Sequence, residues 1–415
     1  GDTVLVDEIS GQNGTFTGFT TGGFLPAAGD IEITTPKENQ FILADESGNS
    51  TFTVSGSTTT TSAIEYSLDG ATWSVLDASP DGTSFSGSVV VNGIKDITVR
   101  ISDDITSTST VTGISATKYN IGFWGQSNEV SRNANLNTIS VGAGNPTPLK
   151  FTPENGLYSI ASDPTGMGGG AIGGSTASWI AQKYSDDGDL VGIVNVAEGG
   201  TTLLQWQKGN SSGYYNRITN AASSVGGFSL FTCTIGETDA GNGTTEADAI
   251  TRMTAICQDL KTDFGADTYI SYFVDAAGTG TPENILTIRN AYDNVIVNND
   301  FAKFGGDTGV IDTGGNIHMT TVAQFEELSQ LRYDAQRAGL APSSTLNLSI
   351  TGIPAGTFET VLSANGEEAI RENITYTSGA LSLPLSLPVG TTIKGYVNDN
   401  NNPSVNGAYL EGVTE

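Results

Sequence analysis

Tyr119-Asn120-Ile121-Gly122-Phe123-Trp124-Gly125-Gln126-Ser127-Asn128 is an apolar run that meets a glycine and turns polar at once. Its length and bulky side chains predict a buried strand over 119–124. Gly125 allows a tight turn that can expose the Ser127 hydroxyl. Serine after a strand is ordinary turn chemistry, so position alone does not make it reactive.

Beyond this run, apolar strands alternate with helical patterns. The spacing predicts helices over 175–184, 214–223, 246–264, 282–297 and 321–339. It predicts strands over 190–196, 228–235 and 268–273, and a short one around Val310-Ile311. Ile250, Met253, Ile256 (or Cys257) and Leu260 form one helical stripe, and Val322, Phe325, Leu328 and Leu331 another. Repeated strand–helix alternation implies a parallel sheet covered by helices on both faces. Ligands in such folds bind outside the C-terminal strand ends, where Ser127 lies. The stretch 128–173 reads as a long irregular loop beside that edge, placed to shape specificity.

The texture differs on either side. Short alternating runs such as Thr51-Phe52-Thr53-Val54 and Ile97-Thr98-Val99-Arg100-Ile101 predict a β-sandwich over 48–116. Asp69-Gly70 and Asn92-Gly93 carry hairpin-turn chemistry. Residues 1–47 form a Gly-rich arm, expected to pack on a neighbouring chain. Residues 342–415 return to alternation, as in Thr345-Leu346-Asn347-Leu348-Ser349-Ile350, and predict a second β-sandwich. The α/β domain is assigned 117–341.

Composition narrows the function. The 415 residues hold 17 Lys and Arg against 45 Asp and Glu, a formal net charge of −28. Such a chain repels phosphate backbones and anionic lipid heads, so no nucleic acid or membrane docking is expected. No apolar run approaches the ~18–20 residues of a membrane span. A chain that starts at Gly1, without an initiator Met, is expected to be a processed or trimmed form. With one histidine, His318, multi-His metal sites are excluded, and no metal or organic cofactor is expected. Cys233 and Cys257 permit one bridge at most, and two buried thiols is the simpler reading. The acidic run Ser185-Asp186-Asp187-Gly188-Asp189 is too short for a calcium loop and reads as a solvated helix end.

Three further segments carry candidate chemistry. The strand 190–197 ends in Glu198-Gly199-Gly200-Thr201, where paired glycines let backbone N–H groups face a ligand. The strand 228–235 runs into Gly236-Glu237-Thr238-Asp239, which places polar groups at the same sheet edge or caps the next segment. His318 lies in Gly314-Gly315-Asn316-Ile317-His318-Met319-Thr320, ahead of a helix whose Thr321-x-x-Gln324 reads as a capping box. Any Ser–His mechanism in this chain must use His318. Asp312 and Asp307 lie upstream as acidic partners.

Taken in order, Gly-Gln-Ser-Asn, a strand ending Gly-Gly-Thr followed by Trp206, Gly-Glu-x-Asp and a late His resemble the SGNH hydrolases. The similarity is to the branch of sialate O-acetylesterases and plant-type acetylesterases. It covers about 117–341, with Phe123-Trp124-Gly125-Gln126-Ser127-Asn128 its most specific part. Gly168-Gly169-Gly170-Ala171 resembles a further stretch of that branch. The resemblance implies a three-layer αβα, flavodoxin-like domain and hydrolysis of acetyl esters on sugars. It makes Ser127 the nucleophile and His318 the general base, with Asp312 the favoured acid. The N–H groups of Ser127 and of Gly199 or Gly200 become the oxyanion hole. Gln126, Asn128, Glu237 and Asp239 organise the site.

Two positions depart from the branch. A Gln usually precedes Gly-Glu-x-Asp and donates to the oxyanion, and here that residue is Ile235. The donor is then sought at Asn195 or in 128–173. The family's acid usually sits three residues before the His, where this chain has Gly315. Trp206, Trp179, Tyr158 and Tyr214-Tyr215 are candidates for stacking on sugar rings, although core packing is the commoner role. The expected protein is an O-acetylesterase acting on an acetylated polysaccharide, either a phage tailspike or a secreted enzyme. Its place is the virion or the extracellular space. A homo-oligomer, a trimer for a tailspike, is expected from that likeness. The competing readings are a non-catalytic glycan-binding adhesin with a decayed hydrolase domain, motivated by Ile235 and Gly315, and a lipid or aryl esterase.

Overall fold

The computed structural model describes residues 30–130, 145–153, 155–161, 175–273, 280–307, 309, 311, 318–319 and 321–340, and the backbone of further strands between 344 and 413. The described residues form two compact units. The first holds those up to Glu38 together with Thr51–Ile114, and the second holds Asn39–Ser50 and the chain from Ser115 onward.

The described residues begin with eight strands: β1 (Ile31–Thr35), β2 (Phe41–Leu43), β3 (Asn49–Thr58), β4 (Ile64–Ser67), β5 (Ser74–Asp77), β6 (Ser84–Asn92), β7 (Ile94–Ile101) and β8 (Asp104–Thr117). Period-two alternation sets which side chains are buried. Phe52 and Val54 of β3, Phe85, Val89 and Val91 of β6, and Ile97, Val99 and Ile101 of β7 are all buried. The Asp69-Gly70 turn lies between β4 and β5, which pair antiparallel. Its Asp69 carboxylate accepts the Thr72 and Ala71 N–H groups at 2.7 and 2.8 Å. Those bonds hold it well below the usual carboxylate range. Asn92-Gly93 is not a hairpin within one sheet. β6 belongs to the β1-β3-β6 sheet and β7 to the sheet containing β8 and β4, so this turn passes the chain from one sheet to the other. Gly93 makes the corner at φ +66°.

Part of the segment 1–47 is built into the second unit. β2 pairs in parallel with Ser115–Thr117 at the end of β8. Its Phe41 is fully buried and meets Tyr158 edge to face at 5.7 Å. A Cβ on Gly192 would come within 2.2 Å of the Phe41 ring, so only glycine leaves room for it there.

The second unit is a mixed α/β fold around a seven-stranded sheet. Its strands are β9 (Tyr119–Gly125), β10 (Leu149–Thr152), β11 (Leu157–Ile160), β12 (Val191–Asn195), β13 (Leu230–Thr234), β14 (Asp267–Tyr272) and β15 (Ala302–Asp307). The spatial order is β11-β10-β12-β9-β13-β14-β15. All neighbours pair in parallel except the edge strand β11, which runs antiparallel to β10. From β9 the chain builds outward on one side, then crosses back to build the other. The end of β9 is therefore the switch point of the sheet, where such folds open a crevice.

The helices are α1 (Thr176–Asp186), α2 (Leu203–Trp206), α3 (Tyr214–Val225), α4 (Glu237–Gly241), α5 (Glu246–Phe264), α6 (Pro282–Asn298) and α7 (Val322–Leu340). Their ends follow local chemistry. Thr245 and Thr281 cap α5 and α6 by accepting the N–H groups of Asp248 and Asn284. Thr321 and Gln324 bond reciprocally ahead of α7, the expected capping box. Alternate side chains of the strands feed two cores. Ile121, Phe123, Ile193, Leu230 and Tyr269 join α1 and Tyr333. Trp124, Val194, Phe231, Cys233 and Ile270 join α3, α5 and α6. Cys233 and Cys257 are free thiols in this second core, and burial pushes both well up.

Four expectations change. Among the described residues the last parallel strand is β15, which precedes the strand expected around Val310-Ile311. Ile311 lies in a bend, and Val310 is outside the described residues. β15 escapes a periodicity reading because Phe304 is its only bulky apolar residue and Gly305-Gly306 follow. The stretch 128–173 is not wholly irregular, since β10 and β11 extend the sheet from it. On α7, Val322 is exposed, and the buried stripe runs through Phe325, Leu328, Ser329, Arg332 and Gln336. The acidic run after α1 is paired. Asp187 and Asp189 bind Arg337, and Asp189 also binds Lys118 at 2.7 Å.

At the end of the chain, β16 (Ser344–Ser349) pairs with β19 (Ala380–Leu385). β17 (Gly356–Ala364), β18 (Glu367–Tyr376), β20 (Thr392–Asn398) and β21 (Ala408–Val413) form an antiparallel sheet in the order β18-β17-β20-β21.

Candidate active site

β9 ends at Gly125, whose φ of +132° lies outside the range of ordinary L residues. The chain then turns tightly. Gln126 N–H bonds to the Thr234 carbonyl at 3.1 Å, and Glu129 and Val130 N–H return to Gln126 and Ser127 at 2.9 and 3.2 Å. Ser127 sits on this turn, 6% exposed, beyond the C-terminal end of the central strand.

Two neighbouring strands bring their loops to it. After β12, Glu198 N–H bonds to the Gly125 carbonyl at 3.1 Å, which places Gly199 and Gly200 beside the turn. The Thr201 hydroxyl donates to the Glu198 carbonyl at 2.9 Å and accepts Trp206 Nε1–H at 2.9 Å. Among the described residues, the N–H groups of Ser127, Gly199 and Gly200 donate to no protein acceptor. After β13, Gly236 leads into α4, which presents Glu237 and Asp239, both buried. Asp239 Oδ2 accepts Leu203 N–H at 2.9 Å and so ties α4 to α2. Burial pushes the Asp239 carboxyl up, and the Leu203 N–H pulls it back.

Asn128 joins three parts of the site. Its Nδ2 donates to Glu237 Oε1 at 3.1 Å, and its Oδ1 accepts Met319 N–H at 3.4 Å. That second bond brings the residue after His318 onto the residue after Ser127. Burial pushes Glu237 up to about 7, with the Asn128 amide opposing. Glu237 Oε2 and Gln126 Oε1 are buried and find no partner among the described residues. His318 is itself half-buried. Asp312, Gly315 and the stretch Gly168-Gly169-Gly170-Ala171 lie outside the described residues. Asp307, the other acid considered, accepts Gly309 N–H at 2.8 Å and lies 3.9 Å from Arg289.

The sequence left one oxyanion donor open. The Asn195 side-chain amide donates one of its hydrogens to the Glu129 carbonyl at 2.6 Å. Ile235 is fully buried in the core, and its carbonyl accepts the Tyr292 hydroxyl at 2.9 Å. The aromatic candidates are mostly structural. Trp206 is fully buried, with Trp124 and Tyr214 rings each 5.4 Å away. Tyr158 donates to the Ser224 carbonyl, Tyr215 bonds Asp263, and Trp179 packs on the Ile311–Met319–Phe325 cluster.

Sequence reading missed the support beneath the turn. Glu129 and Arg332 are fully buried and meet at 2.6 Å. Arg332 also donates to Thr176 at 2.9 Å and to Thr232 at 2.6 Å. The available signal was an arginine seven residues after Phe325, on the inward stripe of α7.

Over residues 124–333, half of the chain, the sequence matches the family described as carbohydrate esterase, sialic acid-specific acetylesterase. The chain belongs to this carbohydrate esterase family. The matched span contains Ser127, Gly199, Gly200, Glu237, Asp239 and His318. No curated protein sequence matches the chain. Among solved structures, a carbohydrate acetylesterase from Xanthomonas citri superposes with a TM-score of 0.52 at 14% identity, covering 91% of this chain and 95% of that one. It shares the fold. An Arabidopsis thaliana protein gives 0.42 at 17% identity, covering 53% of this chain and 98% of that one. The protein is thus an esterase of the carbohydrate type.

Proposed function

We propose that this esterase removes acetyl groups from a polysaccharide by acyl transfer through Ser127. The observation that carries the reading is the Asn128 bridge, which brings the loop of the sole histidine onto the serine turn. His318 takes the Ser127 proton as Oγ bonds to the acetyl carbonyl carbon. The oxyanion that forms is held by the N–H groups of Ser127 and of Gly199 or Gly200, whose hydrogens have no protein acceptor in the described structure. The bond to the sugar oxygen then breaks, and His318 returns its proton to that oxygen. Water, activated by His318, attacks the acetyl-enzyme and releases acetate. Asp312 is the proposed acid that orients the imidazole and stabilises its charge. Glu237, Asp239, Gln126 and Asn128 hold the loops in place.

The fold belongs with this reading as a three-layer αβα SGNH domain, flanked by β-sandwich modules over 48–116 and 342–415. The substrate proposed is an acetylated bacterial surface glycan, and the setting a phage tailspike or a secreted enzyme. The strongly acidic composition and the β-rich flanks support that setting.

Acetate release from O-acetylated bacterial polysaccharide tests the proposal. Wild type should release acetate, while Ser127→Ala and His318→Ala, folded by circular dichroism, should not. Full activity in either variant removes that residue from the mechanism. Release from p-nitrophenyl acetate but from no polysaccharide would keep the chemistry and overturn the substrate. No release from any ester would favour the glycan-binding reading.

A further inference from the structure

The ion pair between Glu129 and Arg332 lies directly beneath the proposed nucleophile turn and is fully buried on both sides. Burying two charges is expensive, and well-packed apolar residues of similar volume usually serve stability as well or better. Stability alone therefore does not account for the pair. Its contacts suggest another role. Glu129 is two residues after Ser127, and its own N–H closes the turn onto Gln126. Its carbonyl is gripped by Asn195 of β12 at 2.6 Å, and its Oε2 accepts the Thr176 hydroxyl of α1 at 3.3 Å. Arg332 spans the same ground from α7. One nitrogen reaches Thr176 and Glu129, the other reaches Thr232 of β13, and the guanidinium stands 5.7 Å over the Phe123 ring of β9.

α7 is also the helix that the His318 loop enters. Met319 N–H is already bonded to Asn128 on the serine turn. Among the described residues, the turn is thus tied to the C-terminal part of the domain at Met319 and at Arg332, near the two ends of the segment from His318 to Arg332.

We propose that Glu129 and Arg332 are positioning residues, a buried clamp that sets Ser127 against His318. The proposal rests on the reading of those two residues as the reacting pair. A planar, two-nitrogen fork held by four elements fixes direction as well as distance. Misplacement of reacting groups by about 1 Å can cost on the order of a hundredfold in rate.

The test compares wild type, Arg332→Lys and the double variant Glu129→Gln with Arg332→Met. The single Glu129→Gln change is a poor test because it strands the guanidinium without a counter-charge. The double variant removes both charges and keeps the volume, and Arg332→Lys keeps the charge but loses the fork. Each is measured for kcat and KM on p-nitrophenyl acetate, for the rate of fluorophosphonate labelling of Ser127, and for thermal midpoint. The proposal expects the double variant to be folded with KM within about twofold. Its kcat should fall by at least about tenfold, and labelling should slow by a similar factor. Arg332→Lys should lie between it and wild type. A lower midpoint with wild-type kcat and labelling in the folded fraction overturns the clamp. So does a wild-type kcat in Arg332→Lys, which keeps the test usable if the double variant does not fold. Fluorophosphonate labelling of wild type at a residue other than Ser127 overturns the catalytic reading itself, and is told apart by the site labelled.

Discussion

Asn128 donates its side-chain amide to Glu237 Oε1 across 3.1 Å, in a contact closed off from solvent. One neutral hydrogen bond is all that the described structure offers this carboxyl from another side chain, while its second oxygen has no partner among the described residues. A carboxylate so placed is poorly solvated, and its neighbours Glu129 and Asp239 add negative charge.

Glu237 should therefore link stability to pH. Burial pushes its folded value up to about 7, from the ordinary 4.5. The folded protein holds this proton more tightly than the unfolded chain does. The stabilisation is complete below about pH 4.5 and is lost as pH rises towards 7. Relative to Glu237→Gln, wild type should lose on the order of 3 kcal/mol across that window. Urea unfolding of both proteins from pH 4 to 8 measures it, and parallel curves would refute the assignment.

Gly125 should tolerate no side chain. Its φ is +132°, and a Cβ would stand 2.4 Å from the Thr234 carbonyl oxygen, a backbone atom on the adjacent strand. Gly125→Ala should cost at least about 2 kcal/mol from strain and displacement together. Because the residue is two before Ser127, the folded fraction should also lose acetate release. Thermal unfolding and specific activity together check this. A variant matching wild type in both would show that the strand end can yield.

Trp206 should support the fold and not bind sugar. It is fully buried and hydrogen-bonded to Thr201. Trp206→Phe keeps the ring packing but strands the Thr201 contact, and should cost about 1–2 kcal/mol. KM for an acetylated glycan should stay within about twofold of wild type. A large rise in KM with an unchanged unfolding midpoint would restore the stacking role.

The sequence makes some parts of this molecule easy to read and others opaque. α5 is legible because Met253, Ile256 and Leu260 repeat at helical spacing between a Thr cap and a Gly stop. β9, β12 and β13 are legible because each is a short, mostly apolar run bounded by polar turns. β15 is not, because its place is secured by pairing with β14 and not by bulky residues of its own. In the candidate site, Ser127, Gly199, Gly200 and Glu237 were legible one strand end at a time, since each lies within a few residues after a strand. The Glu129–Arg332 pair was not. Its partners are about 200 residues apart, and only the packing of α7 brings them together.

Cys233 and Cys257 lie one on the sheet and one on α5, inside the same core, and burial keeps both as unreactive thiols. They give the folded domain an internal clock. A thiol reagent has no access until the sheet and helix part, so the labelling rate under native conditions counts openings of the core. Any substitution that loosens that core will shorten the clock, with no need for an added probe.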